Sequence, residues 1–342
     1  MSAEPRRDQL SSALRLLFGL LALGLAAVRV VPQEKPAAKV RVLTLLGRPL
    51  QFVAADQLGL FRTAGLEVTT ENKRNSEELR ADLAVGQGDL AYLAVDNAVA
   101  MVELAHEDVV ILMGGEGSQN ELIAQTEILS ISDLRGKILI VDAPNTAYAL
   151  QLKKILALAD LVPGRDYEIK PVGATPQRLV ALREHKEFAA SMLGPPVSLV
   201  AKQEGFRSLG SVPQLLGPYQ AAGFFSERRW AQDHRELLVR LLAQIIEAQR
   251  WLMDPAHQAQ VVELLIREAH LSPEIAAETY ASSFTKPGGF AKDARFDLEG
   301  FETVLKLRAE VEGQWGGHPP PPQKYYDPSY YEAALRTLHG LP

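Results

Sequence analysis

Polar residues follow several short apolar runs of the sequence, at the points where buried strands would end. In open α/β sheets, ligands bind outside the carboxyl ends of the strands, often against helix N-termini whose N–H groups have no partner within the helix. These positions therefore predict a small-molecule binding site. The candidate ligand-binding residues are Arg48, Gln51, Asp96, Asn97, Gly115, Glu116, Asn145, Thr146 and Pro195.

Four of these candidates have a second interpretation, as helix caps. Asp96, Asn97, Asn145 and Thr146 belong to the residue types that accept a hydrogen bond from the first N–H groups of a helix. Capping and ligand contact can coexist at one residue. Replacement by alanine separates them, because a cap contributes to stability and a ligand contact contributes to affinity.

The charge of the ligand stays open at this stage. A sulfonate or nitrate site needs arginine or exposed N–H donors, and Arg48 is the only cationic residue among the candidates. Acidic and aromatic residues nearby suit a neutral or cationic heterocycle, or another amine, equally well. They are Asp96, Glu116, Asp142, Tyr148 and Tyr219.

No catalytic or metal-binding pattern stands out in the sequence. The chain has no cysteine, which excludes disulfides, thiolate nucleophiles and Cys-based zinc sites. Its seven histidines show no H-E-x-x-H spacing, and neither a G-x-S-x-G elbow nor a G-x-x-x-x-G-K-[ST] loop occurs. We therefore expect a protein that is not an enzyme and that has no cofactor and no metal.

Length and composition fit a globular protein with two lobes. The chain has 342 residues, of which 47% are hydrophobic and 23% charged, and this length is sufficient for two cores. The net charge of -6 is mild. Because the sequence has no long basic run, no nucleic-acid partner is expected.

The first 31 residues have the pattern of a secretory signal peptide. Three arginines precede an apolar run at 16–28, and small residues around 24–27 would supply a cleavage site. We expect export to the periplasm or the extracellular face of the membrane, with loss of roughly the first 26–32 residues. The alternative is an uncleaved N-terminal anchor, which would leave the body of the protein outside the cytoplasm as well. A linker at 32–39 follows.

Strands and helices alternate in the first part of the chain. Residues 40–46 predict a strand, and a helix from Gln51 to Arg62 ends before Gly65, a residue that adopts positive φ without strain. A strand at 66–70 and a helix starting at Asn75 follow. Further strands are predicted at 90–95 and 109–113, with a helix at 98–105 between them and a strand-to-loop turn at 114–117.

The second part begins in the same way and ends in helices. Residues 121–128 are predicted to be extended as a connection between lobes, 138–141 and 189–193 to be strands, and 178–184 to be a helix. Residues 219–225 would return the chain to the first lobe. Amphipathic helices are predicted at 236–252, 261–269, 273–282 and 296–312. This order is typical of an α/β protein.

The first part resembles the bacterial periplasmic solute-binding proteins of the nitrate/sulfonate/taurine and thiamine-precursor uptake class. The matching elements are Ala54-Ala55, Gly59-Leu60-Phe61, Gly65-Leu66-Glu67-Val68, Gly86-Gln87-Gly88-Asp89 and Asp96. A second match is the turn Asp133-Leu134-Arg135-Gly136-Lys137 before an apolar strand. The sequence departs from that family at Phe188, where an aspartate usually precedes the strand.

The resemblance implies the type II periplasmic-binding-protein fold, with two α/β lobes around a ligand cleft and a helical C-terminal region. It implies a first lobe at 40–121 and 222–342 and a second lobe at 122–221. It also implies a monomeric receptor that closes its lobes around a small molecule and delivers it to a membrane ABC permease. The ligand would be a sulfonate- or nitrate-like anion, or a heterocycle or amine related to thiamine precursors.

Two other classes of function remain as alternatives. The first is an enzyme on the same fold, of the pyrimidine-synthesis or menaquinone-pathway type, although the former carry a cysteine-rich motif that this chain lacks. The second is a sensor domain, which would need a signalling domain for which the sequence has no room. The solute receptor is the leading hypothesis.

Overall fold

The computed structural model describes residues 36–340. The predicted signal peptide or anchor at 1–31 and most of the predicted linker lie outside the described residues. Across 36–340, no helix is both long and apolar enough to cross a bilayer.

Within residues 36–340, ten strands form two five-stranded sheets. The strands are β1 Ala38–Thr44, β2 Leu66–Asn72, β3 Leu90–Ala94, β4 Val109–Gly117, β5 Glu121–Ala124, β6 Lys137–Val141, β7 Tyr167–Pro171, β8 Phe188–Leu193, β9 Arg207–Ser211 and β10 Gln220–Glu227. The first sheet has the order β2-β1-β3-β10-β4 and the second the order β7-β6-β8-β5-β9. In each sheet the two strand pairs at one edge are parallel. The next strand, β10 in the first sheet and β5 in the second, runs antiparallel to both of its neighbours.

Fourteen α-helices of the described part of the chain cover the sheets and form the C-terminal region. They are α1 Leu50–Gln57, α2 Leu60–Thr63, α3 Ser76–Ala84, α4 Asp96–Leu104, α5 Ala147–Ala157, α6 Thr175–Glu184, α7 Val197–Gln203, α8 Val212–Leu215, α9 Arg228–Asp233, α10 Arg235–Met253, α11 Gln258–Ala269, α12 Pro273–Thr285, α13 Leu298–Glu312 and α14 Ser329–Leu338. Because successive strands of each sheet are joined by helices, both sheets are covered on their faces.

Local signals determine several element boundaries. The side chain of Asn75 accepts a hydrogen bond from the N–H of Glu78 (2.8 Å) and caps α3. Gly65 has φ 67° just beyond α2, as the sequence predicts. The predicted single helix from Gln51 to Arg62 is instead two, α1 and α2, separated by Gly59 at φ 69°.

Three predictions about local structure are wrong. Residues 114–117 stay in β4, because β10 pairs with that strand as far as Gly117. Helix α6 begins at Thr175 and not at 178, since Pro176 lies in the first turn, where its missing N–H costs nothing. Residues 121–124 are extended, as predicted, but they form β5 inside the second sheet and are not the expected connection between lobes.

The C-terminal helices pack against the first sheet. Helix α10 buries two apolar rows, which include Leu241 and Ile245, in a core shared with Phe52 of α1 and Phe224 of β10. Helix α13 contacts α5, which lies beside the second sheet.

The α/β fold class with two lobes and a helical C-terminal region is thus confirmed. The chain passes between the sheets after β4 and again before β10, and the predicted limits of the lobes stay a prediction.

Candidate functional site

A cavity of about 710 Å³ lies between the two sheets. From the first sheet, it is lined by the residues that follow β1, by β3 and by the end of β4. From the second, it is lined by the residues that follow β6 and β8 and by the first turns of α5 and α6. Its polar side chains include Asn72, Ser76, Tyr92, Asn97, Glu116, Asn120, Asp142, Thr146, Tyr148, Gln151, Thr175, Gln177 and Arg178.

The structure brings four of the predicted ligand-binding residues to this cavity. Asn97 and Glu116 line it from the first sheet, and Thr146 and Pro195 line it from the second. The other five predicted residues do not line it. Their side chains or backbones have partners elsewhere in the protein.

Arg48 lies on another face of the first lobe. Its guanidinium pairs with Asp56 (2.6 Å) and donates to the carbonyl of Val68 (3.0 Å). Arg48 thus follows β1 in sequence without facing the cavity.

Gln51 and Gly115 lie behind the cavity wall. Gln51 is buried and donates to the hydroxyl of Tyr92 (3.3 Å). A Cβ on Gly115 would lie 2.9 Å from the ring of Tyr92, so only glycine allows that ring to pack so closely. Both residues therefore position Tyr92, which does line the cavity.

Asp96 and Asn145 bind an arginine that the sequence analysis did not single out. Arg308 of α13 makes a bidentate ion pair with Asp96, at 2.5 and 2.9 Å, and both side chains are buried. Its other terminal nitrogen donates to Asn145 Oδ1 (3.3 Å). Because Asp96 lies beside the first sheet and Asn145 follows a strand of the second, Arg308 links the two lobes.

The capping interpretation does not describe these side chains. Neither α4 nor α5 has a side-chain hydrogen bond at its N-terminus. Asn97 donates to the carbonyl of Ala94 (3.0 Å) and accepts from Arg80 (3.1 Å). Thr146 donates to Asp142 Oδ1 (2.6 Å). The polar groups are therefore engaged with side chains and a carbonyl at the cavity wall.

Four charged residues line the cavity: Glu116, Asp142, Arg178 and Arg183. Asp142 accepts from the hydroxyls of Ser76 (2.9 Å) and Thr146 (2.6 Å), one on each carboxylate oxygen. Arg183 pairs with Glu204 at 2.5 and 2.8 Å.

Arg178 is completely buried and fully engaged with the protein. It donates to the hydroxyls of Ser191 (3.0 Å) and Thr175 (3.1 Å) and to two backbone carbonyls. Its guanidinium lies 4.8 Å from the centre of the Tyr148 ring. Burial lowers the pKa of Arg178, and the charge of Asp142 acts in the opposite direction.

Glu116 differs from the other three charged residues. Among the described residues, its carboxylate has neither an ion-pair partner nor a hydrogen-bond donor, and only its backbone carbonyl accepts a bond, from Gln220 (3.1 Å). Burial raises the pKa of Glu116 to about 7. Burial also raises the pKa of Tyr92, with a further contribution from the charge of Glu116.

Sequence analysis missed several residues of the cavity wall. Arg178 was overlooked because the start of α6 was predicted three residues too late. Ser76 follows the correctly predicted cap Asn75, so the helix start was the signal that could have identified it. Tyr92 lies inside an apolar strand and gave no such signal. No group of three or more His, Cys, Asp or Glu side chains suited to a metal occurs within 36–340.

Comparison with known proteins identifies the relatives of this chain. Residues 32–266 match the model of the NMT1-like family. No curated protein matches the sequence significantly.

Solved structures similar to this chain include periplasmic binding proteins. The periplasmic nitrate-binding protein NrtA of Synechocystis PCC 6803 superposes with a TM-score of 0.72 at 13% identity, covering 88% of this chain and 89% of NrtA. The alkanesulfonate-binding protein SsuA of Xanthomonas axonopodis pv. citri, bound to MOPS, gives 0.66 at 18% identity, covering 84% and 96%. A Candida albicans protein that defines a new family with the generic periplasmic binding protein fold gives 0.63 at 12% identity, covering 88% and 95%.

Proposed function

The chain belongs to the NMT1-like family, and from this we propose that it is an extracytoplasmic substrate-binding protein of an ABC uptake system. Its fold is that of the periplasmic binding proteins. In this proposal the protein is exported, acts as a monomer, binds a small molecule between its lobes and delivers it to a membrane permease.

The observation that carries the proposal is the cavity lined from both sheets. Each lobe contributes polar side chains to it, among them Asn97 and Glu116 from one side and Thr146 and Arg178 from the other. A ligand that contacts both walls stabilises the arrangement in which the walls are close. The ligand shifts the equilibrium between the open and the closed arrangement only by the difference between its binding free energies for the two.

The lobes already touch each other beside the cavity. Ser76, at the start of α3, donates to Asp142 at the end of β6 (2.9 Å), and both side chains are buried. A direct hydrogen bond across the cleft is expected of a closed receptor. The ligand would therefore be enclosed by the same movement that forms this bond.

The size of the cavity favours an organic ligand over a mineral anion. Sites for drug-sized molecules have about 300–1,000 Å³, and this cavity has about 710 Å³. Nitrate has only four heavy atoms. Because one water molecule takes up about 30 Å³ in the liquid, an anion of this size would fill only a small part of the cavity. We infer that the ligand is several times larger than nitrate, with enough atoms to reach both walls.

Native mass spectrometry tests this function. Protein secreted by an expression host and purified without refolding is expected to carry a small molecule that is released on denaturation. Returning that molecule to the stripped protein is expected to reduce the radius of gyration in small-angle scattering. Ser132→Ala, at an exposed serine away from the cavity, is the matched control and should show the same reduction.

The enzyme hypothesis predicts a different result from the same material. If the molecule returned to the stripped protein comes back chemically altered at protein-catalysed rates, the receptor proposal fails and the enzyme alternative stands. An unaltered molecule that binds without any change of shape contradicts the closure mechanism.

A further inference from the structure

We propose that Glu116 selects the ligand by binding a cationic group, so that the transported molecule carries an ammonium, amidinium or protonated heterocyclic nitrogen. The inference rests on the proposed receptor function and adds the chemical class of the ligand. It favours one of the two ligand classes that the sequence leaves open.

The first argument is the state of the charges in the cavity. Asp142, Arg178 and Arg183 each have protein partners for their charged groups. Glu116 is the one charged side chain lining the cavity that has none among the described residues. The protein's own groups therefore bind the guanidinium groups of both cavity arginines, which an anionic ligand would need. Only the carboxylate of Glu116 is left for the ligand.

The second argument is that Glu116 is half-buried and its carboxylate has no partner among the described residues. Burying an ionised carboxylate without a partner is unfavourable, and proteins normally avoid it by pairing the group. An unpaired acidic group in a cleft is therefore a candidate for function. A ligand cation would supply the missing partner through a charge-assisted hydrogen bond, which is about twice as strong as a neutral one.

The third argument is the rigidity of the position. Glu116 lies in β4, between glycines whose neighbours leave no room for a side chain. A Cβ on Gly117 would lie 3.0 Å from the backbone of Gly288, and one on Gly115 would lie 2.9 Å from Tyr92. Strand β4 pairs with β10 at Glu116 itself and at Gly117. The backbone that carries Glu116 is therefore fixed by close packing, and a rigid element supports specific recognition.

The fourth argument is the aromatic surroundings. Tyr92 on β3 and Tyr148 on α5 line the same cavity as Glu116. Burial raises the pKa of both tyrosines, and the charge of Glu116 adds to this. The carboxylate therefore lies within electrostatic reach of a ring from each lobe. Aromatic faces attract cations, so an organic cation bound at Glu116 would find apolar and aromatic contacts as well as its counter-ion.

A congeneric set of probes tests the inference. Benzamidine, benzamide and benzenesulfonate share one ring and differ in charge from positive through neutral to negative. We expect benzamidine to bind the stripped protein at least tenfold more tightly than benzamide in calorimetric titration, and benzenesulfonate to bind most weakly. Glu116→Gln should abolish the preference for benzamidine. Glu278→Gln, an exposed glutamate of α12 with no ion pair in the described structure, should retain it.

The pH dependence provides a second readout. The titratable groups coupled to Glu116 are Tyr92 and Tyr148, and burial raises the pKa of both, so neither loses its proton near neutrality. As Glu116 itself deprotonates around pH 7, benzamidine affinity should rise between pH 6 and pH 8 in the parent. In the Glu116→Gln variant it should not change, because the amidinium stays charged throughout.

The contrary outcomes are distinct from failure of the receptor function. Tighter binding of benzenesulfonate, or equal binding of benzamidine by the parent and Glu116→Gln, overturns the inference. So does the absence of binding by any cationic probe. In each case the co-purified molecule and the change in shape still decide the receptor function independently.

Discussion

Asp96 and Arg308 show how a residue that is suited to ligand binding can be used by the fold instead. Asp96 follows an apolar strand and starts a helix, yet both of its carboxylate oxygens bind Arg308. The pair is fully buried, so each charge depends on the other for its stabilisation. Removing one charge from such a pair costs more than removing both.

The Arg308→Met variant is expected to lose about 3–5 kcal/mol of stability, because it leaves Asp96 as an uncompensated buried charge. The double variant D96N/R308M should recover much of that loss. Urea unfolding measures both. The matched control is Lys306→Met, an exposed residue of the same helix whose ion pair with Glu310 is 3.8 Å long. A single variant no less stable than this control would contradict the role given to the pair.

Glu116 also affects stability in the absence of ligand. The pKa of this carboxyl rises from the usual 4.5 to about 7 because burial disfavours its charged form. Between these values the folded protein binds more protons than the unfolded chain. Stability must therefore fall as pH rises through this window.

The Glu116→Gln variant of the ligand-stripped protein should melt at a higher temperature than the parent at pH 8, and the difference should shrink at pH 5. At pH 5 Glu116 is already neutral in the folded state, so the substitution changes little. All other titrating groups are common to both proteins. The difference between the two melting temperatures therefore reports on Glu116 alone. Equal melting temperatures at pH 8 would show that the carboxylate is solvated.

At the scale of elements, helix starts form one wall of the cavity. The first residues of α5 and α6 line it from the second sheet, while α3 contributes Ser76 from the first. A helix N-terminus carries a partial positive charge and N–H groups without intrahelical partners. Polar acceptor groups of a ligand can bind there, whereas a cation binds at Glu116 on the strand side.

The cap of α3 is the element-scale prediction. Asn75→Ala should destabilise the protein by about 1 kcal/mol, because the N–H of Glu78 loses its acceptor. Asn75→Ser keeps an acceptor at that position and should stay within a few tenths of a kcal/mol of the parent. Chemical denaturation of the three proteins measures this. If Asn75→Ala and Asn75→Ser are equally stable, the hydrogen bond does not contribute.

At the scale of the whole molecule, contacts between the two lobes decide which arrangement is populated. Besides Ser76 and Asp142, helix α5 beside the second sheet binds α13 through Lys153 with Glu312 (2.6 Å) and Lys154 with Glu310 (2.7 Å). The α13 contacts lie away from the cavity wall. The Ser76 bond lies at the cavity itself and is a contact that opening must break.

Ser76→Ala should therefore shift ligand-stripped protein toward the open arrangement. A hydrogen bond to a charged group is worth about 1.5–3 kcal/mol, which changes the ratio of open to closed molecules by roughly 12- to 160-fold. Small-angle scattering should show a larger radius of gyration than in the parent. Ser132→Ala, at an exposed serine away from the cavity, serves as the control. Superimposable scattering curves for parent and Ser76→Ala would contradict this role.

The sequence by itself determined what depends on near neighbours in the chain. The cap at Asn75, the helix end at Gly65 and the apolar strands follow from hydrogen bonds and steric limits within a few residues. The resemblance carried by the glycine and aspartate positions indicated the α/β two-lobe fold. These features are predictable because each residue of the pattern meets its partner within one turn or one strand.

Only the tertiary structure decided which polar residues face the cavity. Asp96 finds its partner 212 residues away in Arg308, and residues 114–117 remain a strand because β10 returns to pair with them. Glu116 is left without a partner for the same reason: within residues 36–340, the segments that surround it bring no cation into contact with its carboxylate. Type and position along the chain mark a polar residue as a candidate. Whether it serves the fold or the ligand depends on distant segments that pack around it.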